Sequence, residues 1–190
     1  MRIVGILLAA GAATRFGGGK LLAKLPDGVT LGRRACANLV AAVTEVIAVV
    51  RTGDDALAQD LAAAGARVTV CPGAHAGMGA SLAHGLRAAG DADAVMIALA
   101  DMPWIRPDTY GAVAAELRRD ETLVVPRYQG RRGHPVGFGR AHFPSLAVLD
   151  NDEGARAVLA NATGICWIDV DDPGALRDVD IPGDLDPSDD

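Results

Sequence analysis

Short runs of almost unbroken apolar residues recur along this chain, and a helix-length stretch follows most of them. Arg2-Ile3-Val4-Gly5-Ile6-Leu7, Glu45-Val46-Ile47-Ala48-Val49-Val50-Arg51 and Ala94-Val95-Met96-Ile97-Ala98-Leu99-Ala100 lack the alternation of a strand with one wet face. Such runs read as strands covered on both faces, which is the situation of a parallel sheet between two layers of helices. Residues 32–43, 55–65 and 79–89 read as helices; Asp54 and Asp55 can start the second and Gly65 can stop it. Strands at 67–71, 123–126 and 166–170, a helix from Pro107 to Leu117 and a short helix at Ala157–Leu159 complete the order. The expectation is an α/β fold, a Rossmann-like, doubly wound and mostly parallel sheet. It forms one domain over residues 1–185, with an acidic tail at 186–190. Right-handed crossovers would put the ligand crevice at the carboxyl ends of the strands.

The first strand empties into Leu8-Ala9-Ala10-Gly11-Ala12-Ala13-Thr14-Arg15-Phe16-Gly17-Gly18-Gly19-Lys20. Glycines let several backbone N–H groups converge on an anion, and Arg15 and Lys20 add the charge needed to neutralise a polyphosphate. The loop is not a Walker A sequence, because Leu21 stands where Ser or Thr would follow the lysine. It is not a dinucleotide fingerprint either, since Ala13 occupies the second glycine position. The plain alternative is an ordinary glycine-rich strand-to-helix turn.

Three further segments carry candidate chemistry. Asp101 follows the most apolar strand, in Ala100-Asp101-Met102-Pro103-Trp104. A carboxylate there can hold Mg²⁺ beside a nucleotide, since magnesium asks for one or two carboxylates together with phosphate oxygens and water. The competing use is to cap the helix that starts near Pro107. In Gly77-Met78-Gly79-Ala80-Ser81-Leu82, Gly79 and Ser81 either open a helix or read a base edge from an apolar pocket. Gly130-Arg131-Arg132-Gly133-His134-Pro135-Val136 is either a solvated hairpin turn or a grip for a second anionic substrate through Arg131, Arg132 and His134. Asp178-Val179-Asp180-Ile181-Pro182-Gly183-Asp184-Leu185 returns carboxylates after the last strand, and Asp180 could supply a second metal ligand.

Composition narrows the classes. A net charge of −6 argues against broad nucleic-acid binding, which leaves a basic footprint, but not against nucleotide binding. With 50% apolar but only 4% aromatic residues, the core must rest on aliphatic side chains. Cys36, Cys71 and Cys166 are odd in number and widely spaced, which suits reduced thiols in a cytoplasmic protein. No apolar run reaches the roughly 18 residues of a membrane span.

These segments together resemble the molybdenum cofactor cytidylyltransferases, within the nucleotidyltransferases of the molybdopterin dinucleotide pathway. The matching marks are L-A-A-G…R-F-G-x-x-K, G-M-G-x-S-L, A-L-A-D-M-P-W, G-R-R-G-H-P-V and D-x-D-x-P-x-D-L. The resemblance implies a nucleotide-diphospho-sugar transferase-like fold with Leu8, Ala9, Ala10 and Gly11 on the nucleotide. It also implies Arg15 and Lys20 on the triphosphate, and Asp101 and Asp180 on magnesium. The implied reaction joins CMP from CTP to the phosphate of the molybdopterin-bound cofactor and releases pyrophosphate. A molybdoenzyme or its maturation chaperone would receive the product. Leu-Ala-Ala-Gly accompanies the cytidylyl enzymes of that family, and Leu-Ala-Gly-Gly the guanylyl ones. Two departures stand out: Ile181 replaces the usual Thr, and Asn151 replaces Gly in the G-D-x-G-A-R segment. The alternatives are a guanylyltransferase, transfer to another phosphorylated metabolite, and a non-catalytic protein that delivers a finished cofactor.

Overall fold

The computed structural model of the 190-residue chain describes residues 1–11, 13, 15–150 and 154–186. A single mixed sheet forms its centre, with strands β1 (Ile3–Leu8), β2 (Glu45–Arg51), β3 (Arg67–Cys71), β4 (Ala94–Leu99), β5 (Leu123–Tyr128), β6 (Arg131–Arg132), β7 (Val136–Gly139) and β8 (Cys166–Asp169). The order across it is β3-β2-β1-β4-β7-β5-β6, and β8 pairs with β5. β1 runs parallel to β2 and β4, β2 to β3 and β5 to β8, whereas β7 runs antiparallel to both β4 and β5.

Alternate residues of each strand feed two cores, which is why the central runs have no polar face. Leu7, Ala48, Val50 and Met96 face α1 (Leu31–Val40), α2 (Asp55–Ala63) and α4 (Pro107–Glu116). Val4, Ile6, Ile47, Val49 and Val95 face α3 (Met78–Ala89), α5 (Phe143–Ala147) and α6 (Arg156–Ala160). Gly85 lets α3 lie directly on the sheet, for a Cβ there would stand 2.7 Å from Ile6 Cγ2 and 2.9 Å from Val49 Cγ2. At the amino ends of the first strands, Glu45 accepts from Arg2 at 2.7 Å and Arg67 at 2.5 Å, pinning β1, β2 and β3 together.

The Gly130–Phe138 segment differs from a simple turn. Tyr128 and Arg131 close a short hairpin, a cis bond joins His134 to Pro135, and Val136–Gly139 then enters the sheet between β4 and β5. Val136 and Phe138 bury into the α3 core, while the bare Cα of Gly137 fits beneath Leu117, whose Cδ1 would be 2.9 Å from a Cβ. A strand with glycine at alternate positions fits only where its neighbours leave that space, so no local pattern announces it.

α4 is started by a distant carboxylate. Buried Asp172 accepts from Arg106 N at 2.9 Å, Thr109 Oγ1 at 2.6 Å and Gly174 N at 3.0 Å. This draws the 172–176 turn against Trp104, where Gly174 has no room for a side chain, and directs residues 178–180 back to the end of β4. No helix among the described residues is long and apolar enough to cross a membrane.

Candidate functional site

β1 lies between β2 and β4, so the chain's crossovers diverge on either side of it and leave a crevice at the carboxyl ends. A cavity of about 700 Å³ occupies that place. Its wall comes from the ends of four strands: Leu8, Ala10 and Gly11 after β1, Thr52 after β2, Pro72 and His75 after β3, and Asp101 after β4. Met78 and Ser81, on the first turns of α3, close one side. Most of this surface is apolar, and its charged residues are Lys20, Asp101 and Arg51.

The charged end is assembled from three separated segments. Gly19, at φ 64°, turns the chain into a single 3₁₀ turn, Lys20–Leu22, which buries the Lys20 side chain. Lys20 Nζ lies 2.8 Å from Asp101 Oδ2 and 3.8 Å from Asp180 Oδ1. Arg15 reaches the other oxygen of Asp180 at 2.5 Å. Asp180 is held there by backbone contacts: Val179 N donates to Asp101 O at 2.9 Å, and the Asp184 carboxylate accepts from Asp180 N and Ile181 N at 2.8 and 2.9 Å. Those two N–H groups hold the Asp184 carboxyl below its ordinary range. Asp178 stands near enough to feel the same group; burial pushes its carboxyl up, and the charges of Asp101 and Asp180 push it further.

The expected site residues divide into three sets. Leu8, Ala10, Gly11, Lys20, Ser81 and Asp101 line the cavity together. Ala9 instead borders an adjoining recess of about 200 Å³, shared with Gly11, Lys20 and Arg51. Arg15 and Asp180 stand outside the wall and join it through the ion pairs with and beside Lys20. Gly79 is buried within α3 beneath the wall, and Ser81 makes a long 3.4 Å bond to Gly77 O while its residue faces the cavity. Arg131 and Arg132 are exposed on β6, away from the cavity. His134 is half-buried beside them, and burial holds its imidazole down to about 4, with Arg132 adding to the effect and Asp101 opposing it. It is therefore neutral at pH 7.

Asp101 is not the cap of α4, since Asp172 takes the Arg106 N–H and the Thr109 hydroxyl there. Of the G-D-x-G-A-R-like segment, 151–153 lie outside the described residues, as do residues 187–190 of the acidic tail. Gly154 packs on Met78, whose Sδ would be 2.9 Å from a Cβ. Thr52, Pro72 and His75 escaped motif reading because they belong to no charged pattern, and Met78 lay within the G-M-G-x-S-L motif without being singled out. Their signal was positional, each following a strand or opening the helix after one.

Among the described residues no group of three or more His, Cys, Asp or Glu side chains is arranged to enclose a metal. Asp101 and Asp180 both face the Lys20 ammonium, so two carboxylates lie beside the glycine loop; they would fit a cation that takes its remaining ligands from phosphate and water only with Lys20 turned from between them.

Comparison with known proteins agrees with this geometry. The MobA-like NTP transferase domain matches residues 5–165. The purine catabolism protein PucB of Bacillus subtilis (strain 168) is 29% identical over 97% of this chain and 94% of its own length. Nicotine blue oxidoreductase of Paenarthrobacter nicotinovorans is 30% identical over 94% of this chain and 92% of its own. The crystal structure of Rv0371c from Mycobacterium tuberculosis H37Rv superposes with a TM-score of 0.81 at 28% identity, covering 97% of this chain and 95% of that one. The crevice at the carboxyl ends, the glycine loop that delivers Lys20 to Asp101 and the extent of the match together place the chain in the MobA-like NTP transferase family.

Proposed function

We propose that this nucleotidyltransferase moves CMP from CTP to the terminal phosphate of the molybdopterin-type molybdenum cofactor, giving the cytosine dinucleotide form and pyrophosphate. The observation that carries the reading is the meeting of Lys20 and Arg15 with Asp101 and Asp180 at one end of an apolar cavity. A base and sugar need the apolar part, and a triphosphate needs the charged part.

In this reading the base rests among Leu8, Ala10, Pro72 and Ser81, where the Ala10 methyl narrows the floor in favour of a pyrimidine. One methyl group supplies only about 1–3 kcal/mol of discrimination, so polar groups of the 71–81 loop must add to it. The glycine loop and Gly79 let backbone approach the nucleotide. Lys20 and Arg15 neutralise charge that grows on the α-phosphate and on the leaving pyrophosphate. Mg²⁺, held by Asp101 and Asp180, would supply further charge neutralisation and bring the two polyanions together. The attacking atom is an oxygen of the acceptor phosphate, so the chain contributes position rather than a nucleophile. Arg131, Arg132 and His134 are the proposed acceptor side, and the neutral His134 imidazole adds no charge of its own there. Three cysteines without a disulfide suit a cytoplasmic setting, where a molybdoenzyme or its chaperone would take the product.

The test is pyrophosphate release by the full chain with each of the four nucleoside triphosphates, Mg²⁺ and molybdopterin-type or other phosphorylated acceptors. Turnover with CTP and the pterin cofactor is expected. Equal or better use of GTP would transfer the assignment to a guanylyltransferase, and binding without release in any combination would make the chain a carrier.

A further inference from the structure

Cytosine and uracil are the same size, so a floor narrowed by the Ala10 methyl sorts pyrimidine from purine but not one pyrimidine from the other. They differ in polarity. Cytosine carries an exocyclic amine, a donor, where uracil carries a carbonyl, an acceptor. Telling them apart requires a wall whose hydrogen-bonding groups are fixed in one sense.

The 71–81 segment has that property. His75 borders the cavity, and its Nδ1 lies 3.3 Å from the Pro72 carbonyl oxygen. A carbonyl can only accept, so Nδ1 carries the hydrogen, and in the neutral ring Nε2 keeps a lone pair. No described residue hydrogen-bonds to Nε2. Ser81 spends its hydroxyl hydrogen in the same way, on Gly77 O at 3.4 Å, which leaves lone pairs on Oγ. Cys71, on the same wall, directs its thiol hydrogen to Ala80 O at 4.0 Å. Each of these side chains turns its hydrogen back onto a carbonyl of its own segment. What they offer the cavity is acceptors alone.

The other polar side chains of the wall are engaged differently. Lys20 and Asp101 hold each other, and Arg51 is tied to Asp54 at 3.0 and 3.3 Å. The Thr52 hydroxyl can turn to donate or accept, so it selects nothing. His75 is exposed, whereas Ser81 is buried, and the bond to Pro72 keeps the imidazole at the mouth of the base's place in the reading above.

We propose that His75 Nε2 accepts from the exocyclic amine of the base, with Ser81 Oγ as a second acceptor, and that His75 thereby sets cytosine apart from uracil. The proposal rests on the transferase reading for one element, a pyrimidine lying beside Pro72 and Ser81, and adds the atom that reads its edge. A uracil in the same place would set its carbonyl oxygen against the Nε2 lone pair and leave both unpaired.

Calorimetric titration of the full chain with CTP and with UTP, each with Mg²⁺ and without acceptor, tests this. The wild type should bind CTP about tenfold or more tightly than UTP. His75→Phe keeps a flat ring without the acceptor and should bring the two affinities together by weakening CTP and not UTP. His75→Gln, whose amide can present either group, should keep CTP binding and gain UTP binding. Thermal melting of both variants separates folding from binding. A CTP preference that survives in His75→Phe overturns the assignment, as does an equal loss for both nucleotides, which would make the ring a packing surface. A wild type that binds UTP as tightly as CTP, or binds neither, overturns it as well. Pyrophosphate release measured in parallel keeps the two ideas apart. Turnover with CTP whose preference over UTP is unaltered in His75→Phe sinks the role of His75 alone. No release with any nucleotide and acceptor, while the calorimetric preference follows His75, sinks the transferase reading alone.

Discussion

The Asp101 carboxylate is bonded to Lys20 and sits at the tip of a strand with no polar face, and the proposed function gives its charge a chemical use. Asp101→Asn keeps the volume and loses the charge; turnover should fall a hundredfold or more with melting temperature little changed, as read by pyrophosphate release beside calorimetry. Lys20→Ala and Arg15→Ala should each cost about 1.5–3 kcal/mol in kcat/KM for the nucleotide. The double variant should lose less than the sum, because both cations meet Asp180 and would share one triphosphate; additive losses would show that they act apart. At this scale the charged residues that meet beside the cavity could be singled out in the sequence, since an arginine and a lysine in a glycine loop after a buried strand stand out. His75 and Thr52 were not, because a polar residue at a strand end looks the same whether it faces solvent or a cavity.

Between elements, the fit of α3 on β1 and β2 depends on an absent side chain. Gly85→Val would force the helix from Ile6 and Val49, and a loss of about 1–3 kcal/mol or more is expected from denaturant melting. The Arg2–Glu45–Arg67 clamp predicts an acid response. Hydrogen bonds from Arg67, and then Arg2, hold the Glu45 carboxyl below its ordinary 4.5. Its stabilisation is complete above that value and is lost as pH falls through the lowered one. Glu45→Gln should therefore destabilise by about 0.2–1 kcal/mol at pH 7 and converge on the wild type in strong acid. The parallel strands were readable from the sequence, β2 and β3 to the residue. β7 was hidden because Gly137 and Gly139 fit spaces made by Leu117 and by the backbone at Arg119 and Asp120, more than fifteen residues upstream.

Across the whole molecule, the C-terminal segment is tied to the centre by Asp172. Asp172→Ala leaves three donors unpaired, those of Thr109 and Gly174 buried, and should cost about 3–5 kcal/mol, seen as a lower denaturation midpoint. It should also raise the metal concentration needed for turnover, because the same segment carries Asp180. Sequence reading could place Asp172 in an acidic turn but not beneath α4, since the partners lie over sixty residues away. The late return of Asp180 sets a timetable for synthesis. When residue 101 has left the ribosome, the glycine loop, Lys20 and Asp101 are all present, yet the slot beside β4 is empty until β7 follows. Asp180 comes later still. A chain that has emerged only as far as β4 therefore holds the glycine loop and the Lys20–Asp101 pair without the Asp180 carboxylate that later joins them.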